Sequence, residues 1–289
     1  MKFLKTMCIM ALAGMCLFAK AEVITVILPF PSGGVTDRIW RTLEPELNQA
    51  LQPHSLKVVT EYIFGNGGAI AAARAATPGV NKLLFTSSSL AISMVNNPAV
   101  TYGPADFTVL GYFGTMPMFV AVAETGPKNL SEFVTRCRTG SMTYATPGVG
   151  SGNHLSAVAF LRQHGCSATA VPYKSQIAGL PDVAAGRVDF VLDFETSATA
   201  EMVRQGRLRN IHSLTDLNIK NWHVLVAPRD YNPEQLRLVQ QALQRVLENT
   251  TAQQQFQQLG LTEVGRPVPR DFLEQQRQLF ERTYREITR

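Results

Sequence analysis

The chain has 289 residues, of which 45% are hydrophobic and 17% are charged. This is the composition of a globular protein, and it excludes a disordered chain or a fibrous repeat. Lysine and arginine number 27 against 22 aspartates and glutamates, a formal net charge of +5, so a nucleic acid or a membrane surface has to be considered as a partner until the charges are located.

The first 21 residues have the pattern of a secretory signal peptide. Two lysines precede an uncharged apolar run over 7–18, and small residues follow at Ala19 and Ala21. The run is shorter than the about 20 residues of a membrane-spanning helix, so an N-terminal anchor is the weaker alternative, as is a lipoprotein linked through Cys16. We predict cleavage after Ala21 and export, which means the periplasm in a Gram-negative source.

The basic excess belongs mainly to this segment. It carries three of the lysines and no acidic residue, so the formal net charge of the remaining chain falls from +5 to +2. The arginines of 266–289 alternate with glutamates, which is typical of a solvated helix face. The sequence therefore predicts no nucleic-acid partner.

Strand and helix patterns alternate along most of the chain, which predicts an α/β fold with mostly parallel sheets. Three polar amphipathic helices follow, over 233–249, 251–259 and 270–287. Pro45 lies inside the first helical pattern, so we expect it to kink or end that helix. The predicted strands are 23–28, 58–62, 82–85, 108–112, 118–122, 141–145, 168–171, 188–194, 208–212 and 223–226. The predicted helices before the tail are those after residue 34, 69–76, 90–95, 131–138, 153–163, 177–185 and 197–205.

Two strand–turn–helix units indicate a site for a small anion. One is PFPSGGVTD at 29–37 and the other is YATPGVGSGNH at 144–154. Free backbone N–H groups and the positive end of the dipole lie at a helix start, and glycine lets a ligand approach them. One such unit is more often only a tight turn. Two units, one in each predicted half, favour a shared cleft at the carboxyl ends of the strands.

Sharper catalytic and cofactor signals are missing from the sequence. Neither glycine turn has the spacing of a dinucleotide fingerprint, a phosphate loop or a nucleophile elbow. The five histidines show no metal-ligand spacing, and we predict no metal and no cofactor. A secreted hydrolase that uses Ser151 and His154 is a remote alternative, because no carboxylate is placed to orient the histidine.

Two polar residues of these units have both a structural and a functional interpretation. Asp37 lies near the third position of its helix, where it either stabilises the helix start or accepts a hydrogen bond from a ligand group or bridging water. His154 lies in the first turn of its helix, where we expect a neutral hydrogen-bonding residue at the cleft edge or a residue of the core.

At these residues the sequence resembles the substrate-binding proteins of tripartite tricarboxylate transporters, the Bug or TctC family. The resemblance extends over nearly the whole chain after the signal segment, and it is carried by 29–37, GNGGAIAAARAA at 65–76, LLFTSSSLAI at 83–92, 144–155 and VPYKSQIAGLPDVAAGRVDFVLD at 171–193. It implies a two-lobed periplasmic binding protein of type II, a Venus flytrap, that closes on a small carboxylate and is not an enzyme. Lobe 1 would comprise 22–121 and 228–289 with the C-terminal helices packed on it, and lobe 2 would comprise 122–227.

The resemblance also implies which residues contact the ligand. They follow the strands of both lobes: Phe30, Ser32, Gly33, Gly34, Asp37, Thr86, Ser87, Ser88, Thr146, Gly148, Val149, Gly150, Ser151, His154, Tyr173, Lys174 and Asp193. Ser32 departs from the usual Pro-Pro-Gly-Gly of the family, and the segment 212–223 is shorter than in most members. The shorter segment lies near the lobe crossing and the cleft rim, so the substrates of relatives are not carried over to this chain.

The function expected on this basis is capture of a small organic carboxylate and its delivery to the membrane permease of such a transporter by a monomeric receptor. The alternative is an extracytoplasmic sensor subunit that presents its closed form to a membrane kinase.

Two cysteines remain after the signal segment, Cys137 and Cys166. Each precedes a predicted strand of the second half, and an exported protein meets an oxidising compartment. If the two strands are neighbours, both sulfurs lie at one end of the sheet, and we predict a disulfide between them, with two buried free thiols as the alternative.

Overall fold

The structure is a computed structural model, and it describes residues 22–148, 151–194, 198–214 and 220–288; the predicted signal peptide lies outside the described residues. The strands are Glu22–Leu28 (β1), Leu56–Tyr62 (β2), Lys82–Ser87 (β3), Phe107–Met116 (β4), Met118–Ala123 (β5), Met142–Thr146 (β6), Ala168–Pro172 (β7), Phe190–Phe194 (β8), Leu208–Leu214 (β9) and Asn221–Pro228 (β10). The α-helices are Val35–Leu51 (α1), Ala69–Ala76 (α2), Ser89–Asn96 (α3), Leu130–Thr139 (α4), Gly152–Gln163 (α5), Gln176–Ala184 (α6), Ala198–Arg204 (α7), Pro233–Glu248 (α8), Thr250–Gln258 (α9) and Phe272–Thr288 (α10).

The strands form two five-stranded sheets with the same layout. The first has the order β2-β1-β3-β10-β4 and the second the order β7-β6-β8-β5-β9. In each sheet the fourth strand in the order is antiparallel to both of its neighbours, while the other pairings are parallel. The predicted α/β fold with mostly parallel sheets in two lobes is confirmed.

The strand pairings place both boundaries between the lobes at residues other than those predicted. The whole of β5 pairs with β8 and β9, so 118–121 belong to lobe 2 and not to lobe 1. The whole of β10 pairs with β3 and β4, so 221–227 belong to lobe 1 and not to lobe 2. The difference arises because each sheet takes its antiparallel strand from the chain segment that has just crossed from the other lobe.

Apolar side chains fill both faces of the first sheet. One cluster lies under α1, α8 and α9 and includes Trp40, Phe85 and Phe256, which are almost fully buried. The other lies under α2, α3 and α10 and includes Phe280. Burial of such side chains contributes about 1.5–3 kcal/mol each, so the C-terminal helices are integral to lobe 1.

Pro45 does not end the first helix. α1 is a single helix of 17 residues with Pro45 in its interior. Pro45 is exposed, while Ile39, Leu43 and Leu47 form an uninterrupted buried face on the other side. The alternative that Pro45 ends the helix was therefore wrong. Packing of the buried face against the sheet stabilises the helix on both sides of Pro45.

The two lobes also touch beside the cleft. Leu155 of α5, in lobe 2, belongs to the same apolar cluster as Ile92 of α3 and Phe280 of α10, in lobe 1. Leu155 is 1% exposed. The arrangement therefore places the helix starts of the two lobes opposite one another.

The predicted disulfide is not formed in the structure, where Cys137 and Cys166 are free thiols. The Cys137 thiol donates to the carbonyl of Ser167 at 3.7 Å, and the Cys166 thiol to the carbonyl of Val134 at 4.0 Å. Burial raises the pKa of Cys137, and the neighbouring Cys166 thiol raises it further. The two thiols are thus neighbours, as the strand positions indicated, without a bond between them.

Candidate functional site

The cleft between the lobes is formed where parallel strands end and helices begin. In lobe 1, β1 leads through a turn into α1 and β3 leads directly into α3. In lobe 2, β6 and β7 lead in the same way into α5 and α6. The carboxyl ends of parallel strands are where open α/β sheets bind ligands, so this edge is the expected position of a site.

Four helix starts converge on a cleft of about 550 Å³. Its wall includes 34–36 at the start of α1, 88–89 at α3, 151–153 at α5 and 175–177 at α6. The first backbone N–H groups of a helix have no partner within the helix, and the helix dipole is positive at that end. Two helices from each lobe therefore direct hydrogen-bond donors and positive potential into one space, which suits a small anion.

The capping pattern differs between the lobes. Ser151 caps α5 by accepting a hydrogen bond from the His154 N–H at 3.2 Å, and Ser175 caps α6 by accepting from the Ala178 N–H at 3.3 Å. Gly34 and Ser88 precede α1 and α3 and make no side-chain cap. The start of α1 is thus without a capping side chain, whereas at α3 the Ser87 hydroxyl accepts from the Ser89 N–H at 3.4 Å.

The described residues that line the cleft include no Asp, Glu, Lys or Arg. The one histidine among them is His223, and burial lowers its pKa to about 3, so the imidazole is neutral at physiological pH. Serine and asparagine side chains, Thr36 and Gln176 contribute to the polar part of this lining beside His223, while Phe30, Ile92 and Phe194 belong to its apolar part. The site thus offers neutral hydrogen-bond donors to an anion, and its described lining contains no positively charged side chain.

A hydrogen-bonded pair holds part of the lobe 1 wall. The Ser88 hydroxyl donates to the Asn221 side-chain oxygen at 2.8 Å, which links α3 to the strand that returns from lobe 2. Because the oxygen of the Asn221 amide faces Ser88, its NH₂ group points away from Ser88. Since Asn221 lines the cleft, it adds a neutral polar group there.

The glycine turn of lobe 2 is held by Thr146. The Thr146 hydroxyl donates to the Gly148 carbonyl at 3.2 Å and lies 3.3 Å from the Ser151 hydroxyl. Gly148 has a φ of 141°, a conformation that favours glycine. Val149 and Gly150, which were also predicted as ligand contacts, lie outside the described residues.

Asp37 stabilises the first glycine turn and does not line the cleft. Its carboxylate accepts hydrogen bonds from the Gly33 backbone N–H at 2.8 Å, from the Ser32 hydroxyl at 3.3 Å and from the Tyr62 hydroxyl. Arg41 lies 3.4 Å away. Burial on its own raises the pKa of Asp37, but these donors and the Arg41 charge outweigh it and lower the pKa below its usual value. The structural interpretation of Asp37 is the one that its contacts support.

The structure brings six of the predicted contact residues to the cleft wall. They are Phe30, Gly34, Ser87, Ser88, Gly148 and Ser151. Ser32, Gly33 and Thr146 are not part of the wall, and they hold its turns through the hydrogen bonds described above. Thr86 is buried in β3 beside Val224 of β10.

Four more predicted residues have other surroundings. The His154 ring stacks on Tyr144 with centroids 6.1 Å apart, and burial lowers its pKa. The Tyr173 hydroxyl donates to Asp182 at 2.6 Å, and Lys174 is exposed. The carboxylate of Asp193 accepts hydrogen bonds from Phe194 N–H and from the Thr199 hydroxyl.

Sequence reasoning missed several residues of the cleft wall. The main ones are Thr36, Asn66, Gln176, Asn221 and His223. Asn66 lies in the second glycine turn and Gln176 at a helix start, so both positions carried a signal. Asn221 and His223 belong to an apolar strand pattern, and no local feature marks them.

A metal centre is not indicated by the described part of the chain, where no group of three or more His, Cys, Asp and Glu side chains could hold an ion. Within the same residues, no helix combines the length and the apolar character needed to span a bilayer.

Comparison with known families decides the affiliation. The model of the tripartite tricarboxylate transporter family receptor matches residues 41–267, which include strands of both lobes. The chain belongs to this family. Protein BugT of Bordetella pertussis (strain Tohama I) is 28% identical to this tripartite tricarboxylate transporter family receptor over 276 residues, 84% of this chain and 82% of that protein.

Solved structures share the fold of this receptor. MatC of Rhodopseudomonas palustris, with bound malate, has a TM-score of 0.75 at 22% identity and covers 90% of this chain and 98% of its own. The periplasmic binding protein BugD has a TM-score of 0.76 at 20% identity, with 91% and 97% covered. The R. palustris protein Rpa4515, with adipate, has a TM-score of 0.75 at 22% identity, with 91% and 95% covered. These similarities confirm the two-lobed periplasmic binding protein fold.

Proposed function

We propose that this receptor is a periplasmic solute-binding protein that captures a small organic carboxylate between its lobes. The observation that carries the proposal is the convergence of four helix starts, two from each lobe, on a cleft whose described lining has no charged side chain. A carboxylate can accept several hydrogen bonds from backbone N–H groups in such a place. MatC with malate and Rpa4515 with adipate have the same fold, which supports a carboxylate as the ligand class.

Closure of the two lobes on the ligand is the proposed mechanism. The apolar wall residues Phe30, Ile92 and Phe194 exclude water from the bound carboxylate, which strengthens each hydrogen bond in the cleft. The chain crossing between β4 and β5 is a connection about which the lobes can rotate. The closed receptor would then deliver its ligand to a membrane permease of the transporter, as a monomer exported by the segment 1–21.

Calorimetry of the chain from residue 22 against malate, succinate, adipate and citrate tests this function. We expect saturable binding of at least one of the four. The control variant is Gly152→Phe, because a Cβ at Gly152 would lie 3.5 Å from Ile92 of the opposite lobe and a large ring there would fill the cleft. Absence of binding to all four by a folded protein, or equal binding by the control, contradicts the proposal.

Delivery to a permease needs a separate test in the source organism. Deletion of the gene should abolish uptake of the carboxylate that calorimetry identifies, and the intact gene should restore it. Unchanged uptake together with loss of a transcriptional response would favour the sensor alternative.

A further inference from the structure

A fully buried histidine forms part of the cleft wall in lobe 1. His223 lies on β10, is 1% exposed and lines the cleft. Its ring stacks on Phe85 of β3, with centroids 6.4 Å apart and an interplanar angle of 26°. Strand pairing places it opposite Ser87, which also lines the cleft. The backbone and the stacking partner thus fix the orientation of the imidazole.

One nitrogen of this ring has no hydrogen-bond partner in the described protein. The Nε2 atom lies 3.4 Å from the hydroxyl of Thr36. The Nδ1 atom is buried and unpartnered, one of three such side-chain atoms among the described residues. Buried polar atoms in native proteins almost always have a partner. Since His223 lines the cleft, a molecule bound there can supply the missing partner.

The chemistry around the ring indicates what this molecule offers. The groups that face His223 from neighbouring elements are the Thr36 hydroxyl of α1, the Phe85 ring and Ser87, none of which is charged. A neutral imidazole has one N–H donor and one acceptor nitrogen. The Thr36–Nε2 contact is compatible with either tautomer of the ring. In the tautomer in which the Thr36 hydroxyl donates to Nε2, the proton resides on Nδ1, which is then a donor toward an acceptor atom.

We propose that His223 contacts the bound carboxylate directly and donates a hydrogen bond from Nδ1–H to one of its oxygens. The proposal rests on the carboxylate function proposed above and adds a residue that selects the ligand. It gives lobe 1 a side-chain donor of fixed direction beside the backbone donors of α1 and α3. A ligand whose oxygen does not reach this nitrogen would leave a buried donor unsatisfied, so His223 discriminates between ligands by geometry.

Three substitutions separate direct contact from packing and from support of Thr36. His223→Asn places a polar atom close to the position of Nδ1, His223→Gln places one close to Nε2, and His223→Phe keeps the ring on Phe85 without either nitrogen. The probes are malate, succinate and adipate in calorimetry. We expect the Asn variant to bind within a few-fold of the wild type and the Gln and Phe variants to bind about 10- to 100-fold more weakly.

Two results would overturn the proposal. Gln or Phe variants that bind like the wild type exclude a ligand contact through Nδ1. An Asn variant as weak as the Phe variant shows that a polar atom at the position of Nδ1 does not support binding, which also contradicts the proposal. A measurement on the unmodified protein covers the case in which a variant does not fold. In ¹⁵N-histidine spectra, the Nδ1 resonance of His223 should shift when the ligand is added, and an unchanged resonance in a protein that binds the ligand contradicts the contact.

The same titrations separate this inference from the proposed function. A wild-type protein that binds none of the carboxylates contradicts the function and the histidine contact together. A wild-type protein that binds one of them, with variants that behave alike, contradicts the histidine contact only.

Discussion

The carboxylate of Asp37 accepts a hydrogen bond from the backbone N–H of Gly33 at 2.8 Å. This contact folds the first glycine turn back on the start of α1, and the Tyr62 hydroxyl supports it from β2. Asp37 is 4% exposed, so its negative charge is neutralised by these donors and by Arg41 and not by solvent. The Asp37 carboxylate therefore fixes the geometry of the turn and does not line the cleft.

Asp37→Asn should therefore destabilise the protein and weaken ligand binding. Loss of charge-assisted hydrogen bonds inside the fold costs about 1–3 kcal/mol in free energy of unfolding. Because the pKa of Asp37 is lowered in the folded state, its contribution is complete above the unfolded pKa and is lost as the pH falls through the folded pKa. Urea denaturation at pH 7 and pH 3 should show a difference between wild type and variant that shrinks in acid. An equal difference at both pH values would rule out this role.

Gly179 of α6 is predicted to be intolerant of a side chain for reasons of packing. A Cβ there would lie 2.8 Å from the Tyr173 ring and 2.9 Å from the Cβ of Ala145. Gly179→Ala should lower the free energy of unfolding by about 1–3 kcal/mol, the usual cost of overpacking. Gly103→Ala is the matched control, since a Cβ at Gly103 meets no atom within 4 Å. The idea fails if both variants unfold at the same urea concentration.

Gln176 should make the cleft favour a carboxylate that also carries a hydroxyl group. Its side-chain NH₂ donates to the carbonyl of Leu192 at 3.3 Å, which leaves the oxygen Oε1 as a buried acceptor without a partner in the described protein. We expect malate to bind about 5- to 10-fold more tightly than succinate, which lacks only the hydroxyl. Glutarate and 2-hydroxyglutarate, or adipate and 2-hydroxyadipate, form the corresponding pairs if longer ligands bind.

Gln176→Met tests the assignment, because methionine keeps the length of the side chain and removes the acceptor. The variant should lose the preference for the hydroxylated member of the pair and keep the affinity for the other. Equal loss for both members would mean that Gln176 acts through packing alone.

His223 should make the protein less stable in mild acid. Burial lowers its pKa to about 3, so the stability that it contributes is complete above the unfolded pKa of 6.5 and is lost as the pH falls from there toward 3. Between pH 7 and pH 5 this loss amounts to about 2 kcal/mol. His223→Phe should remove that part of the pH dependence, while His54→Gln, at an exposed histidine, should not. Parallel pH curves for wild type and His223→Phe would contradict the buried neutral state.

Much of the fold could be predicted from local patterns. The alternation of apolar β-branched runs with amphipathic helices identified the strands and helices, because burial on both faces of a parallel sheet leaves such runs. The lobe boundaries could not be obtained in this way. They depend on the antiparallel pairing of β5 and β10 with strands distant in sequence, and the apolar runs of these strands fit either sheet.

Site residues that act through the geometry of the backbone could be predicted from the sequence. Residues whose role depends on the direction of the side chain were harder to predict. Gly34, Gly148 and Ser151 were found because glycine and capping residues mark two strand–helix turns, one in each half of the chain. Asp37 and His154 were expected near the ligand, yet their side chains turn toward Gly33 and Tyr144. His223 was missed because it joins the cleft wall only when β10 pairs with β3, a strand distant in sequence.

A crystal structure of the receptor with its preferred carboxylate tests the central claim most directly. The account predicts a carboxylate between the lobes, with oxygens about 2.7–3.2 Å from backbone nitrogens at the starts of α1 or α3 and of α5 or α6. A ligand bound outside this cleft, or held there by a lysine or arginine in place of the helix starts, would contradict it.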